Sequence, residues 1–293
     1  MMRMLKKIAG WSWKKKIIVI ICVVLTLVLG AAGAVFGYAA SKVNKIQKIE
    51  VKKETLKESI TEEVEHKSGY LNVAVFGLDS RDGSLDKGNR SDTIMIVSLN
   101  QETYEVKMVS VYRDTFMRLK DGSYNKANAA YSYFGPDGGV ALLNENMDMN
   151  IEKYVSVNFN ALVDVIDAVG GIDLELTQAE ADYICGRDQS VLYPQPLRSD
   201  WNLQEGMNHL DGEQALIHAR NRSIGNSDYR RTERQQEVLM AAFEKVKDLS
   251  AFSIAGLVKD VLPLVTTDLS FTEIIGYVMD VMSIGTGDIA TYR

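Results

Sequence analysis

The stretch LNVAVFGL, residues 71–78, is a short and almost entirely apolar run that is rich in valine. A run of this length and composition predicts a buried β-strand. It is followed at once by the polar sequence DSRDG, residues 79–83, which carries turn-forming residues. Ligands of layered α/β proteins commonly bind where buried strands end. The segment therefore indicates an α/β core with a candidate ligand site beginning at Asp79.

Two further strands are predicted directly downstream, over residues 93–99 and 105–112, with a turn at 100–103. Strands joined by so short a connection must pair antiparallel. The start of the first strand then lies beside the end of the second. We therefore expect Asp92 and Arg113 at the same edge of the sheet, with Asp114 next to them.

The remaining pattern alternates helices and strands, which is typical of the α/β class. Asp211 opens a helix that runs to Arg220, and Asp228 is the predicted cap of a longer helix over 229–249. Residues 290–293 resemble the start of a strand, so we expect an incomplete C-terminus. The other predictions are helices over 126–134, 136–147, 160–169 and 270–282, strands over 153–159 and 172–176, and a long polar connection over 186–208.

An arginine-rich window, residues 218–236, contains no lysine. Arginine presents a planar fork that binds phosphate or carboxylate oxygens bidentately, whereas lysine acts as a point charge. Cations at the start of a helix are locally unfavourable unless an anion binds there. The window therefore predicts a site for a phosphorylated ligand, and its five arginines are Arg220, Arg222, Arg230, Arg231 and Arg234.

These arginines do not all favour function equally. Arg230 and Arg234 lie near Glu233 and Glu237, a pattern that also fits an ordinary solvated charged helix face. Arg231 shares a helix face with Gln235 by its spacing, and a role in ligand binding is favoured for it.

Asp79 and Asp92 are candidate ligands of a divalent cation, because Mg²⁺ is typically held by one or two carboxylates together with phosphate oxygens. The competing interpretation of any single loop aspartate is a turn or a cap. The stretch KANAA, residues 126–130, is more often a plain helix start, although Lys126 could reach a phosphate. Neither Cys22 nor Cys185 has the spacing of a metal site, and the sequence contains no Walker or dinucleotide-binding motif.

The N-terminal part of the chain predicts membrane attachment. Residues 1–16 are basic without an acidic residue, and residues 17–40 contain no charged side chain, which suffices to span a bilayer. The positive-inside rule then makes 1–16 a cytoplasmic tail and places a catalytic domain, residues 69–293, outside the cell membrane on a charged stalk, residues 41–68. A cleaved signal peptide is the alternative. The remaining acidic balance, from a total charge of −6, argues against nucleic-acid binding.

Several motifs in fixed order resemble the LytR-CpsA-Psr family of membrane-anchored wall-polymer ligases. They are NVAVFGLDSR (72–81), RSDTIM (90–95), SVYRDT (110–115), KANAAY (126–131), DVIDAVGGID (164–173), LDGEQAL (210–216) and the window 220–236. Each motif alone is weak, but the set and its spacing are specific.

This resemblance implies a three-layer α/β/α sandwich with a mixed central sheet and a hydrophobic cavity for a polyprenyl chain. It implies transfer of a teichoic acid or capsule-like glycopolymer from undecaprenyl pyrophosphate to a peptidoglycan sugar hydroxyl. Asp79 and Asp92 would hold Mg²⁺ or Mn²⁺. Carried over by motif position, the catalytic set adds Arg113, Arg220, Arg222 and Arg231, and the substrate-binding set is Arg81, Asp114, Lys126 and Gln235.

Two other functions fit the same residues. A hydrolase would cleave the lipid pyrophosphate with water as acceptor. A regulator of envelope assembly would bind the lipid-linked polymer without turnover, although the intact acidic and arginine set argues against it.

Overall fold

The computed structural model describes residues 69–80, 85–103, 105–225, 227–247 and 260–270, with shorter stretches at 249, 253, 256–257, 273–274, 276–277 and 289–292. The predicted tail, membrane span and stalk (residues 1–68), as well as Arg81, lie outside these residues. Within the described part of the chain, none of the helices combines the length and the apolar character that a membrane crossing requires.

A six-stranded mixed sheet forms the centre of the domain, with the strand order β10-β3-β2-β1-β6-β9. The strand β1 pairs antiparallel with β2 and parallel with β6, and β2 pairs antiparallel with β3. The prediction of an α/β protein with a mixed central sheet is thus confirmed. The strands of this sheet are β1 (Tyr70–Asp79), β2 (Arg90–Asn100), β3 (Val106–Ser110), β6 (Lys153–Asn158), β9 (Val265–Thr267) and β10 (Ile289–Tyr292).

Outside the central sheet, the described part of the chain forms two two-stranded sheets, five α-helices and a 3-10 helix, Leu262–Leu264, with further helical residues between 253 and 277. The small sheets pair β4 (Phe116–Arg118) with β5 (Tyr124–Lys126), and β7 (Ile172–Leu176) with β8 (Gly206–Leu210). The helices are α1 (Ala127–Met147), α2 (Phe159–Ala168), α3 (Gln178–Ile184), α4 (Gly212–Arg220) and α5 (Ser227–Lys247).

The two faces of the sheet pack against different helices, because successive side chains of a strand point to opposite sides. On β1, Ala74 and Phe76 belong to the core that contains α1 residues such as Tyr131. The other face carries Leu99, Val106 and Met108, which pack against Leu239, Met240 and Phe243 of α5. Helices therefore cover both faces, and the ends of β1, β2 and β3 lie between them.

The helix α1 joins the two short helices predicted over 126–134 and 136–147. Gly135 has φ 72°, a left-handed conformation that interrupts the regular helix before Pro136. Further along, Gly139 lies against β1, since a Cβ atom there would be 2.7 Å from the ring of Phe76. The missing side chain lets helix and strand approach closely.

Some elements escaped the sequence prediction because they are short. The hairpin β4–β5 has three residues in each strand, β9 has three, and α3 has seven. The strand β8 lies at the end of the predicted polar connection, and only its pairing with β7 defines it. The helix α5 begins at Ser227, so Asp228 lies inside it and is not the cap that was predicted.

Candidate functional site

Asp92 is placed by a β-bulge. Gly77 pairs with Thr93 and Leu78 pairs with Ser91, so Asp92 is an extra residue in β2. Strict alternation would turn Asp92 to the same face as Ile94, which is buried in the core with α1. A bulge re-aims the side chain that it contains. Asp92 consequently lines a cavity at the end of the sheet.

The cavity has a volume of about 480 Å³ and brings together most of the predicted site residues. Acidic groups come from the ends of β1 and β2, and basic groups come from the end of β3, from α4 and from α5. The predicted residues that line it are Asp79, Asp92, Arg113, Arg220, Arg222, Arg231 and Gln235.

Within the cavity, Asp92 is held by two arginines. Its Oδ1 lies 2.7 Å from Nη1 of Arg113, and its Oδ2 lies 3.5 Å from Nη2 of Arg222. The Asp92 side chain is 14% exposed, which limits screening by water. The expected meeting of Asp92 and Arg113 at one sheet edge is confirmed by this ion pair.

Asp79 and Asp92 suit a metal ion whose coordination is completed by a bound ligand, rather than one that is held by protein side chains alone. Both carboxylates line the same cavity. Among the described residues, no group of three or more His, Cys, Asp or Glu side chains could hold a metal. Two carboxylates suit Mg²⁺ when phosphate oxygens complete its coordination. The donor set therefore fits a cation that binds together with a phosphorylated ligand.

Arg220, Arg222 and Arg231 reach the cavity from different elements. Arg220 ends α4, and its guanidinium carbon lies 4.2 Å from the centre of the Phe159 ring. Arg222 follows in the loop after α4, and Arg231 lies in the first turns of α5, where only 4% of it is exposed. Three cations from α4, the loop after it and α5 thus line one cavity.

Arg234 does not belong to a solvated charged face, which corrects the competing interpretation of its sequence context. It is 1% exposed, and its Nε donates to Oε1 of Glu180 over 2.9 Å. Its Nη1 and Nη2 donate to the carbonyl oxygens of Asn221 (3.0 Å) and Ile224 (2.8 Å). Arg234 therefore anchors the loop that carries Arg222.

The partner carboxylate of Arg234 is strongly ionised. Burial alone would raise the pKa of Glu180, but hydrogen bonds from the Thr177 backbone and from Arg234 outweigh it and lower the pKa to about 2. Arg230 also reaches Glu180, at 3.3 Å, and pairs with Glu233 and Glu237. Arg230 is thus engaged in a supporting ion-pair network.

His218 takes part in this network from α4. It is fully buried, with Nε2 3.2 Å from Oε2 of Glu237. Burial tends to raise the pKa of Glu237, and hydrogen bonds from His218 and Arg230 lower it below its usual value.

The helix α5 links the charged cavity to an apolar one. Arg231 and Gln235 line the first cavity, while Leu239 and Phe243, at successive four-residue steps, line a second cavity of about 250 Å³. Four residues advance a helix by about 6 Å. The second cavity lies on the α5 face of the sheet, and its lining includes Leu71, Val73, Val75, Val97, Leu99, Val106, Met108 and Met240.

A third, polar cavity of about 310 Å³ adjoins the first and shares Arg90 and Arg113 with it. The predicted residues Asp114 and Lys126 lie here, outside the main cavity. Lys126 Nζ is 2.7 Å from Asp114 Oδ1, and Arg113 Nε is 3.3 Å from Asp114 Oδ2. The Lys126 hydrogen bond lowers the pKa of Asp114, burial opposes it, and Arg113 lowers it further.

The sequence interpretation did not single out several residues of the main cavity. Arg90 lies in the motif RSDTIM, residues 90–95. Tyr193 and Gln195 lie in the polar connection over 186–208, and a connection of this length is more often functional than a short one. No local signal pointed to the others, because single apolar residues on helices usually belong to a core. These others are Phe159, Tyr183, Leu216 and Ile217.

The fold and the site together define an α/β protein with a cavity lined by arginines and aspartates and a second, apolar cavity. The chain belongs to the LytR_cpsA_psr family, whose sequence model matches residues 34–293. The resemblance read from the motifs is confirmed by this match.

Two similar proteins are named as teichoic acid transferases. The chain is 32% identical over 207 residues to the polyisoprenyl-teichoic acid–peptidoglycan teichoic acid transferase TagU of Oceanobacillus iheyensis, covering 68% of this chain and 59% of that protein. It is 29% identical to TagU of Bacillus cereus, covering 88% and 82%. The match thus spans less than two thirds of the first relative.

Solved structures with the same fold include ligand complexes. A structure of TagT bound to LIIa-WTA has a TM-score of 0.61 and 26% identity, covering 77% of this chain and 78% of that one. A structure of TagT with bound octaprenyl pyrophosphate lipid has a TM-score of 0.58 and 25% identity, covering 77% of both chains.

Proposed function

We propose that this protein transfers a glycopolymer, a teichoic acid or a capsule-like polymer, from a polyprenyl pyrophosphate carrier to a sugar hydroxyl of peptidoglycan. The names of its relatives support the reaction, and the octaprenyl pyrophosphate complex of TagT supports the carrier. Undecaprenyl pyrophosphate is the expected natural carrier.

One observation carries this proposal. A single stripe of α5 presents Arg231 and Gln235 to a charged cavity, and Leu239 and Phe243 to an apolar cavity. A ligand that uses both cavities has an anionic head next to a long apolar tail. A polyprenyl pyrophosphate has this construction, whereas a soluble nucleotide would leave the apolar cavity without a partner.

The arginines bind the pyrophosphate and stabilise the charge of its transition state. Arg113, Arg220, Arg222 and Arg231 point four guanidinium groups at one cavity, where each can hold phosphate oxygens with two parallel hydrogen bonds. Gln235 adds a neutral donor. Phosphoryl transfer depends mainly on such charge neutralisation and on the positions of the reacting oxygens.

Asp79 and Asp92 would hold a Mg²⁺ or Mn²⁺ ion, which when bound supplies positive charge to the phosphate oxygens. Without it, Arg113 and Arg222 neutralise Asp92. The carboxylate therefore keeps two arginines oriented toward the cavity before the substrate arrives.

The reaction forms a bond from the acceptor hydroxyl oxygen to the phosphorus that carries the polymer. The bond from that phosphorus to the bridging oxygen breaks, and the lipid phosphate leaves with the electron pair. We assign the hydroxyl proton to Asp79 or Asp92. Asp79 is the more exposed of the two, and both oxygens of Asp92 already accept from arginines.

We further propose that residues 17–40 anchor the enzyme in the cell membrane, with residues 1–16 in the cytoplasm and the catalytic domain outside. The support comes from the sequence: a basic tail precedes an uncharged run of 24 residues. Protease digestion of intact and opened cells tests this topology. The catalytic domain should be cleaved in intact cells, and the tail should be cleaved only after the cells are opened.

The full-length protein in detergent tests the reaction with defined lipid-linked donors and peptidoglycan oligomers. We expect polymer–peptidoglycan phosphodiester and lipid phosphate as products, with Arg231→Ala losing at least about a hundredfold in rate. Lys107→Ala, at an exposed ion pair on β3, is the control for loss of a cation.

The products decide between the competing functions. Donor cleavage without any joined product would identify a hydrolase and overturn the transfer. Donor binding without turnover, in the presence of acceptor and Mg²⁺, would identify a binding regulator.

A further inference from the structure

The polar cavity beside Arg113 is not used by the lipid carrier in the proposed function. It lies at the same end of the sheet as the main cavity, but its lining comes from β5 and from the first turns of α1. The helix α1 packs on one face of the sheet, and α5, with the apolar cavity, packs on the other. The charged site thus has an apolar cavity on its α5 side and a polar cavity on its α1 side.

This arrangement matters because the attacking and leaving oxygens of phosphoryl transfer lie roughly in line across the phosphorus. The leaving group is the lipid phosphate, whose tail belongs on the α5 side. The attacking hydroxyl must then approach from the opposite side, where Arg90 and Arg113 form the wall shared by the two cavities.

The lining of the polar cavity suits a sugar. Asn125, Asn128 and Ser132 supply amide and hydroxyl groups, and Tyr133 supplies an aromatic ring. The Tyr133 ring is held in place by two contacts. Asn125 Nδ2 donates to its hydroxyl over 3.4 Å, and the Phe134 ring packs edge-on with 6.1 Å between the ring centres. Yet Tyr133 remains 56% exposed, so its ring is available to a ligand.

We propose that the polar cavity binds the acceptor glycan, an amide- and hydroxyl-rich pyranose chain, and presents its hydroxyl to the phosphorus past Arg113. This inference rests on the proposed function and adds the location of the second substrate. Tyr133 packs against the apolar face of one sugar ring, and the asparagines bind its amide or hydroxyl groups. The ion pair of Asp114 with Lys126 lines the same cavity.

The test measures both substrates separately, using the full-length protein, a lipid-linked donor and a peptidoglycan oligomer as acceptor. Tyr133→Ala should raise the acceptor KM about tenfold, which corresponds to the loss of one aromatic contact. The donor KM and the slow hydrolysis of donor without acceptor should stay unchanged. Tyr133→Phe keeps the ring and should stay within about twofold of the wild type.

A second variant blocks the cavity directly. Ala129→Phe adds a bulky side chain to its lining and should raise the acceptor KM at least as much as Tyr133→Ala. Its melting temperature checks that it folds. The matched control for Tyr133→Ala is Tyr70→Ala, which removes a partly exposed tyrosine at the opposite end of β1 from Asp79.

The outcomes separate this inference from the proposed function. A wild-type protein that joins no polymer to any acceptor overturns the proposed function. Normal transfer with an unchanged acceptor KM in both Tyr133→Ala and folded Ala129→Phe overturns the acceptor site alone. A raised donor KM with an unchanged acceptor KM would assign the polar cavity to the donor polymer, and it would also overturn the proposed acceptor site.

Discussion

Nη1 of Arg113 lies 2.7 Å from Oδ1 of Asp92, although 21 residues separate the two in sequence. Antiparallel pairing of β2 and β3 brings their strand ends together, and the bulge in β2 turns Asp92 toward the cavity. A phosphate that binds to Arg113 and Arg222 would therefore compete with Asp92 for these two arginines. The affinity of the site for an anion should therefore depend both on the Asp92 carboxylate and on the two arginines.

Replacing Asp92 by Asn should strengthen binding of inorganic pyrophosphate in the absence of metal, by about three- to tenfold. The change removes the carboxylate that holds Arg113 and Arg222, and leaves their charges to the anion. Transfer activity should fall at least about a hundredfold in the same variant. Calorimetry with EDTA present measures the binding.

The matched control is Asp164→Asn, which removes an equal charge from an exposed position on α2. Weaker metal-free binding of pyrophosphate by Asp92→Asn would contradict the competition between the carboxylate and the anion.

Metal removal should abolish transfer, and Mg²⁺ or Mn²⁺ should restore it. Asp79 and Asp92 line one cavity and are the carboxylates available there to share a cation with phosphate. Mn²⁺ binding followed by electron paramagnetic resonance gives a readout that is independent of turnover. Asp79→Asn should weaken this binding at least about tenfold, with Asp164→Asn unchanged. Full activity in EDTA would contradict a role for the cation.

Arg113→Lys should lower the rate of transfer about a hundredfold even though it conserves the charge. The guanidinium pairs with Asp92 through one nitrogen and with Asp114 through another, a geometry that an ammonium group cannot reproduce. The exposed Arg118→Lys, also in an ion pair, is the control and should stay within about twofold. Steady-state kinetics with saturating donor measure the rate of transfer. Equal rates for the two variants would contradict a requirement for the guanidinium geometry of Arg113.

Arg234→Met should destabilise the domain by about 3–5 kcal/mol, because the buried Glu180 carboxylate loses its buried partner and keeps only the more exposed Arg230 at 3.3 Å. Two backbone carbonyls, of Asn221 and Ile224, also lose their donor. Urea unfolding measures the change. Arg118→Met should cost no more than about 1 kcal/mol, as expected of an exposed pair. Equal effects would show that Arg234 is not an anchor.

Acid should weaken the domain through Glu180. The folded-state pKa of about 2 lies below the ordinary value of 4.5, so ionised Glu180 contributes its stabilisation fully above about pH 4.5. This contribution, about 3 kcal/mol for a shift of this size, is lost as the pH falls toward 2. The unfolding free energies of wild type and Glu180→Gln should therefore converge over this range. A constant difference between them would exclude the linkage.

Gly139→Ala should destabilise the domain by about 1–3 kcal/mol, because the new methyl group would meet the Phe76 ring at the contact of α1 with β1. Gly256→Ala is the matched control, since nothing lies within 4 Å of its added Cβ. That variant should be neutral or slightly stabilising, as alanine favours helix. Thermal unfolding of both variants measures the difference.

The sequence by itself determined the elements whose signal is local. The apolar run at 71–78 predicted β1, and the short turn at 100–103 predicted the antiparallel pairing of β2 with β3. Five arginines in one window predicted an anion site, because arginine binds phosphate or carboxylate oxygens bidentately. The two strand predictions are confirmed because side-chain periodicity and turn length act over a few residues, whereas the anion site stays a prediction.

Only the tertiary structure decided how individual side chains are used. The bulge that re-aims Asp92 depends on how β2 pairs with β1, and one residue of register reverses the face. Arg234 is distinguished from Arg231 by Glu180, a partner 54 residues away that no local pattern reveals. The polar cavity likewise needs β3, β5 and α1 to meet. Burial and ion pairing depend on such distant contacts, and these form only when the chain is folded.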